Sequence, residues 1–193
     1  MDLRSKIAVL GFGIEGRAVL NYLLDHKYTD ITVCDKNVDI ENEMPDGIST
    51  ELGEHYLDDL EEFDVIFRSP GIKFLNPHVQ AAVVAGKEVT SATKYFIDQC
   101  PGVVVGVSGT KGKGTTSTLI YEMLKRSGKK PGIDLFLGGN IGKCPIEFLD
   151  DVKGDGVVVL ELSSFQLQDL KVSPRYAVLL NTTKDHLDYH VDE

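Results

Sequence analysis

The chain has 193 residues, 20 basic and 30 acidic, with a formal net charge of −10 at pH 7; that balance disfavours non-specific nucleic-acid binding and puts most acidic residues on a solvated surface. No apolar run reaches the length of a membrane span, and the N-terminus (MDLRSKIAVLGFG) enters a strand without a signal-peptide layout. The three cysteines, Cys34, Cys100 and Cys144, follow no disulfide or zinc spacing and read as reduced thiols, so the expected setting is cytoplasmic.

Apolar runs at Ile7–Leu10, Ile31–Cys34 and Val65–Phe67, with a weaker one near Glu88–Thr90, predict strands, and Arg17–Asp25 and Asn76–Ala85 predict helices. Strands alternating with helices predict a parallel sheet covered on both faces. Between the first strand and helix lies Gly11-Phe12-Gly13-Ile14-Glu15-Gly16, a G-x-G-x-x-G turn, and Asp35 closes the second strand 19 positions after Gly16. This is the dinucleotide-binding context and predicts a Rossmann-like fold. The ligand stays open. The glycines and helix N-terminus accept any diphosphate and Asp35 any ribose or base edge, so NAD and a UDP-sugar both fit. Ser69-Pro70-Gly71 follows the third strand, on the sheet edge where such folds bind ligands; a plain turn is the alternative, since Pro and Gly are ordinary turn formers.

Pro101-Gly102 predicts a boundary, giving a Rossmann-like domain over residues 1–100 and a second α/β unit over 101–193. The second unit opens with Val103–Val105, then GVSGTKGKGTTST over residues 106–118, then a helix-like LIYEMLKR. Gly109, Gly112 and Gly114 let the backbone fold tightly around a phosphate, Lys113 can reach a β- or γ-phosphate, and Thr115 can place a hydroxyl on Mg²⁺. The following helix offers its N-terminal dipole to the same anion. The turn predicts a nucleoside triphosphate site. It departs from a standard Walker A turn, which would have glycine at Val107 and a hydroxyl where Gly114 stands; the bland alternative is a glycine-rich turn with no ligand.

Val157–Leu162 and Ala177–Asn181 predict strands buried on both faces. Their ends carry Glu161 with Ser163-Ser164, and Asn181 followed by Asp185-His186, on the same edge as the phosphate loop. Glu161 and His186 are candidate Mg²⁺ ligands or water holders. A glutamate inside VVVLELSS is costly to bury without a partner, which a cation would supply. The alternatives are a satisfied structural carboxylate and an exposed loop histidine. Gly138-Gly139-Asn140-Ile141-Gly142 by itself predicts a loop.

Taken together, GTKGKGT, GGNIG, LELSSFQL and NTTKDHLD, in that order behind GFGIEG and SPGI, resemble the Mur ligases. Ser163, Ser164, Phe165 and Gln166 after Glu161 are similar to the D-glutamate-adding member. The resemblance implies a role in peptidoglycan precursor synthesis: ATP phosphorylates the carboxylate of UDP-N-acetylmuramoyl-L-alanine, and the amine of D-glutamate attacks the acyl phosphate to give an amide, ADP and phosphate. It implies catalytic roles for Lys113, Glu161 and His186. Lys113 and Mg²⁺ would neutralise the transferred phosphoryl group. Thr115 and Glu161 would hold Mg²⁺, and His186 a second Mg²⁺. ATP contacts would come from Gly109, Thr110, Lys111, Gly112, Lys113, Gly114, Thr115 and Thr116. Gly13, Ile14, Glu15, Gly16, Asp35, Lys36, Asn37, Ser69, Pro70 and Gly71 would hold the UDP part of the substrate, and Asn140, Ser163 and Gln166 would line its channel.

Several residues depart from the family pattern. The family loop commonly reads GTNGKT or GSNGKS; here Lys111 replaces the asparagine and Gly114 is inserted, as in folylpolyglutamate synthases. Lys36-Asn37 replaces the usual Thr-Arg after Asp35. The resemblance also implies a carbamate-bearing lysine and a C-terminal domain beyond Glu193, so the second unit is expected to be a partial P-loop NTPase-like domain and the 193 residues alone to be inactive in ligation. A monomer is expected, with association through an uncovered sheet edge as the alternative. A folylpolyglutamate synthase-like ligase and a non-catalytic nucleotide-binding module are the competing functions. An NAD-dependent oxidoreductase accounts for GFGIEG and Asp35 but leaves the phosphate loop and LELSSFQL unexplained.

Overall fold

Strands that are apolar at every position must be covered on both faces, and parallel sheets flanked by helices do this. The computed structural model describes residues 1–127 and 134–184. It divides into two compact units, Met1–Ala92 and Thr93–Glu193, each built on its own parallel sheet.

The first unit runs β1 (Ile7–Leu10), α1 (Ile14–Asp25), β2 (Ile31–Asp35), a 3₁₀ helix (Val38–Glu43), β3 (Ser49–Leu52), β4 (Val65–Arg68), α2 (Pro77–Val84) and β5 (Glu88–Thr90). The strand order is β3-β2-β1-β4-β5, so the order reverses between β1 and β4, where doubly wound sheets open a ligand crevice. Leu10 is in register with Cys34 on one side and Arg68 on the other. The turns after β1, β2 and β4 therefore leave the sheet at one edge. All four residues of β1 are fully buried. Leu10, Cys34 and Ile66 pack with Val79 and Ala82 of α2 and with Leu60 and Phe63. Asn76 caps α2 by accepting from the His78 amide at 2.9 Å, with Pro77 at the first helical position.

The sequence places the boundary at Pro101-Gly102, whereas the compact units part at Ala92, so nearly all of α3 (Ala92–Gln99) goes with the second unit. That unit continues with β6 (Val103–Ser108), α4 (Lys113–Ser127), β7 (Leu135–Gly139), a 3₁₀ helix (Pro145–Asp151), β8 (Val157–Glu161), α5 (Ser164–Leu167) and β9 (Tyr176–Leu179). The order is β7-β8-β6-β9. Val107 pairs with Glu161 on β8 and Val178 on β9, which brings the phosphate loop, Glu161 and the end of β9 to one sheet edge. Val105, Val107 and Val159 form the core with Ile120 and Tyr121 of α4.

Two expectations are corrected here. The second strand expected to be buried on both faces, at Ala177–Asn181, is β9 at Tyr176–Leu179, and it is exposed at Tyr176, Ala177 and Leu179, because it stands at the end of the sheet order with β6 on one side. Gly138 and Gly139 are not loop residues but the end of β7, paired with Leu160 and Glu161. The glycines are forced by close approach. A Cβ on Gly138 would come 2.8 Å from the Phe148 ring, and one on Gly139, at φ +101°, would meet the Glu161 backbone. Among the described residues no helix is long and apolar enough to cross a membrane.

Candidate functional site

In the first unit the glycine loop is fixed by the two neighbouring strand ends. Gly11 has φ +84°, and a side chain there would crowd Ser69. The Ser69 hydroxyl donates to the Gly11 carbonyl at 2.9 Å. A Cβ on Gly16 would drive into the same carbonyl, so glycine is what lets α1 pack onto β1. The Asp35 carboxylate accepts from the Phe12 amide at 2.6 Å with one oxygen and from the Asn37 amide at 2.8 Å with the other. Asp35 thus bridges the glycine loop to the turn after β2, a use that reading it as a ribose holder alone misses; each oxygen keeps a lone pair for a ligand. Asn37 accepts from the Asp39 amide and caps the 3₁₀ helix, and Lys36 beside it is exposed. Gly13, Ile14 and Gly71 are exposed, while Glu15, Ser69 and Pro70 are half-buried. Glu15, Gly16 and Ser69 share a small cleft with Arg68.

In the second unit Gly109 (φ +139°) and Gly112 (φ +86°) make the left-handed turns of the phosphate loop. A Cβ on Gly109 would come 2.7 Å from that of Leu180. The loop is tied to the segment after β9: the Thr110 amide donates to the Asn181 carbonyl at 3.0 Å, and the Thr183 amide donates to the Thr110 hydroxyl at 2.8 Å. Lys113 starts α4, and its ammonium donates to the Gly109 and Thr110 carbonyls at 2.9 and 3.2 Å. It hovers over its own loop, where a phosphate would sit.

Glu161 ends β8 and is 4% exposed. Its Oε1 accepts from the Asn140 side-chain amide at 3.0 Å, and the Asn140 amide N–H donates to the Glu161 carbonyl at 2.9 Å. The protein therefore supplies this buried carboxylate with a neutral partner of its own. Its Oε2 faces the first turn of α4, 2.9 Å from where a Cβ on Gly114 would stand. Gly114 thus occupies the position directly after the lysine, and glycine there leaves room for the carboxylate. Thr115 is exposed and Thr116 half-buried. Ser117 turns inward and bonds the Lys113 carbonyl at 2.8 Å.

Ser163 and Gln166 face each other. The Ser163 amide and hydroxyl donate to Gln166 Oε1 at 3.0 and 3.1 Å, and the Gln166 amide donates back to the Ser163 hydroxyl at 3.3 Å. This reciprocal cap orders the helical turn just after Glu161. His186 lies outside the described residues, as does Asp185. Within its unit, the structure gathers Gly109 to Thr116, Asn140 and Glu161 at one edge. Sequence reasoning missed Arg68 and the ties from Asn181 and Thr183. Arg68 carried a signal, a charge closing an otherwise apolar strand; the other two carried none, since they join Thr110 to residues far along the chain, beyond β9.

A Mg²⁺ ion keeps several waters and takes one or two carboxylates plus substrate phosphate oxygens. A single buried carboxylate oxygen opening toward a phosphate loop fits that chemistry.

This pairing of a Rossmann-like unit with a phosphate-loop unit has known counterparts. Residues 5–91 match the Mur ligase MurD-like N-terminal domain, and residues 107–193 match the Mur ligase middle domain. The chain belongs to the Mur ligase family. It is 42% identical over 191 residues to the UDP-N-acetylmuramoylalanine–D-glutamate ligase of Acetivibrio thermocellus, covering 96% of this chain and 40% of that protein. Against the protein of the same name from Clostridium botulinum strain Okra it is 41% identical over 192 residues, covering 97% and 41%. The chain therefore spans about two-fifths of the length of these curated relatives. In fold it is similar to the UDP-N-acetylmuramate:L-alanyl-gamma-D-glutamyl-meso-diaminopimelate ligase from Neisseria meningitides, with a TM-score of 0.51 at 23% identity over 97% of this chain and 64% of that one.

Proposed function

We propose that the chain carries the UDP-substrate-binding and nucleotide-binding parts of an ATP-dependent ligase that adds D-glutamate to UDP-N-acetylmuramoyl-L-alanine, in the cytoplasmic synthesis of peptidoglycan precursors. The observation that carries this reading is the pairing at one sheet edge of a lysine-bearing phosphate loop with a buried carboxylate, behind a second, separate glycine-loop unit. The identity to ligases of that name supports the choice of substrate.

In this reading residues 1–100 form the domain that holds the UDP moiety, with the glycine loop, Asp35 and the Ser69-Pro70-Gly71 turn around the diphosphate. Residues 101–193 hold ATP. Lys113 leaves its carbonyl partners for the β- and γ-phosphate oxygens, and the amides of Gly112 to Thr115 at the start of α4 face the same charge. Glu161, oriented by Asn140, would hold a Mg²⁺ ion through Oε2 with Thr115 or Thr116, and His186 would hold a second Mg²⁺. The first ion, when bound, neutralises charge on the phosphoryl group passing to the substrate carboxylate. The Ser163–Gln166 cap fixes the turn that borders the acceptor side, and the D-glutamate amine then displaces phosphate from the acyl phosphate.

The test is parallel calorimetric titration of the 193-residue chain with UDP-N-acetylmuramoyl-L-alanine, Mg²⁺–ATP and NADH. Binding of the first two is expected. Tight NADH binding with no response to the UDP compound would overturn the reading. With both substrates and D-glutamate present, these 193 residues alone are expected to release no D-glutamate-dependent phosphate, because orienting two reactants can account for roughly 7–11 kcal/mol of a barrier and much of the relatives' length is not in them.

A further inference from the structure

Arg68 closes β4 and is 1% exposed, which makes it the bulkiest of the fully buried side chains among the described residues. Packing alone would be served by an apolar residue, and a buried guanidinium is costly unless its donors are used. Arg68 spends one of its nitrogens, Nη1, on the turn that follows. Its Nη1 donates to the Ile72 carbonyl at 2.6 Å and to the Ser69 carbonyl at 3.3 Å. The same turn is tied to the glycine loop by the Ser69 hydroxyl, which donates to the Gly11 carbonyl at 2.9 Å, and by the Ser69 amide, which donates to the Leu10 carbonyl at 2.9 Å. A continuous polar chain thus runs from Arg68 through the Ser69–Ile72 turn to Gly11. Arg68 and Ser69 also line one small cleft with Glu15 and Gly16 at the start of α1.

We propose that Arg68 is a positioning residue: its buried guanidinium holds the Ser69–Ile72 turn at a fixed distance from the glycine loop, and so sets the affinity of the first unit for a nucleoside-diphosphate ligand. The proposal rests on the reading of that unit as the UDP-substrate domain. Arg68 itself does not touch the ligand. The Ser69 hydroxyl passes its effect on to the Gly11 carbonyl.

The test uses the 193-residue chain as Arg68→Met, Arg68→Lys and Ser69→Ala. Two quantities are measured: affinities for UDP-N-acetylmuramoyl-L-alanine and ATP by calorimetry, and hydrogen exchange of the amides of residues 11–16 and 69–72 without ligand. Arg68→Met is expected to raise the dissociation constant for the UDP compound by about tenfold or more and leave that for ATP within about twofold. Exchange rises in both segments. Arg68→Lys, which keeps the charge but not the fork, falls between Arg68→Met and the parent chain. Ser69→Ala cuts only the hydroxyl tie and is expected to cost about threefold for the UDP compound. If Arg68→Met does not fold, Ser69→Ala decides, and unchanged exchange at residues 11–16 in it overturns the proposal. So does a folded Arg68→Met whose affinity for the UDP compound is unchanged, or one that loses ATP equally. A parent chain that binds no UDP compound overturns the substrate reading instead. In that case increased exchange in both segments still supports the tie, and unchanged exchange overturns it.

Discussion

In the first unit the glycine loop is held from outside, by the Asp35 carboxylate on the Phe12 amide and the Ser69 hydroxyl on the Gly11 carbonyl, whereas in the second the phosphate loop, besides its ties to Asn181 and Thr183, is also bonded by its own Lys113 back to the carbonyls of Gly109 and Thr110. The difference concerns what a ligand must change. In the proposed reading, a diphosphate entering the first loop would leave both ties in place. A triphosphate entering the second would take Lys113 away from the carbonyls of Gly109 and Thr110. The first loop would then be organised before binding, while the second would exchange internal hydrogen bonds for ligand bonds.

A large effect is expected from Gly114→Ser. Its Cβ would stand 2.9 Å from Glu161 Oε2, and the carboxylate, held by Asn140 on its other oxygen, has to turn away. Mn²⁺ affinity in the presence of ATP, followed by electron paramagnetic resonance, should fall by about tenfold, in line with the loss of a hydrogen-bonded carboxylate geometry. A rise would mean that the new hydroxyl joins the metal and that the glycine had left a ligand position open. In the first unit, Asp35→Asn turns an acceptor for two amides into a side chain with one acceptor and a donor facing an N–H. It should weaken the UDP compound by about fivefold and lower the melting temperature by a few degrees, with ATP affinity unchanged. Equal loss of both ligands would break the comparison.

A smaller effect belongs to Cys34, next to Asp35. Burial, and after it the charge of Glu51, pushes its thiol up to about 12 from an ordinary value of 9.0. The folded state favours the protonated thiol, so this stabilisation is complete below about pH 9 and is lost as pH rises from there toward 12. Folded protein should leave Cys34 unmodified by iodoacetamide at pH 8, while denaturant exposes it; rapid native labelling at this position would contradict the burial.

The strongly apolar strands were legible because burial on both faces leaves an unbroken run, as at Ile7–Leu10 and Val157–Glu161. Ser49–Leu52 was not, since it lies at the sheet edge and alternates exposed with half-buried positions. Helix Ala92–Gln99 escaped because its buried Ala92, Tyr95 and Phe96 sit among polar neighbours; their i, i+3, i+4 spacing was the available signal. The phosphate loop was visible from its glycines, but α4 begins at Lys113 itself and not in the apolar stretch at Leu119. That Asn140 orients Glu161 could not be read from residues 21 apart in sequence; it follows from the pairing of β7 with β8.

Most direct is a pair of calorimetric titrations on one variant. Lys113→Ala removes the charge that, in the proposed reading, the second loop would transfer to ATP, and Lys113 belongs to the second unit. Its dissociation constant for Mg²⁺–ATP should rise by about ten- to a hundredfold, the range expected for lost bonds to a charged group, while that for UDP-N-acetylmuramoyl-L-alanine stays within about twofold. Equal weakening of both ligands in a variant with an intact circular dichroism spectrum, or unchanged ATP affinity, would contradict the assignment of one phosphate turn to each ligand.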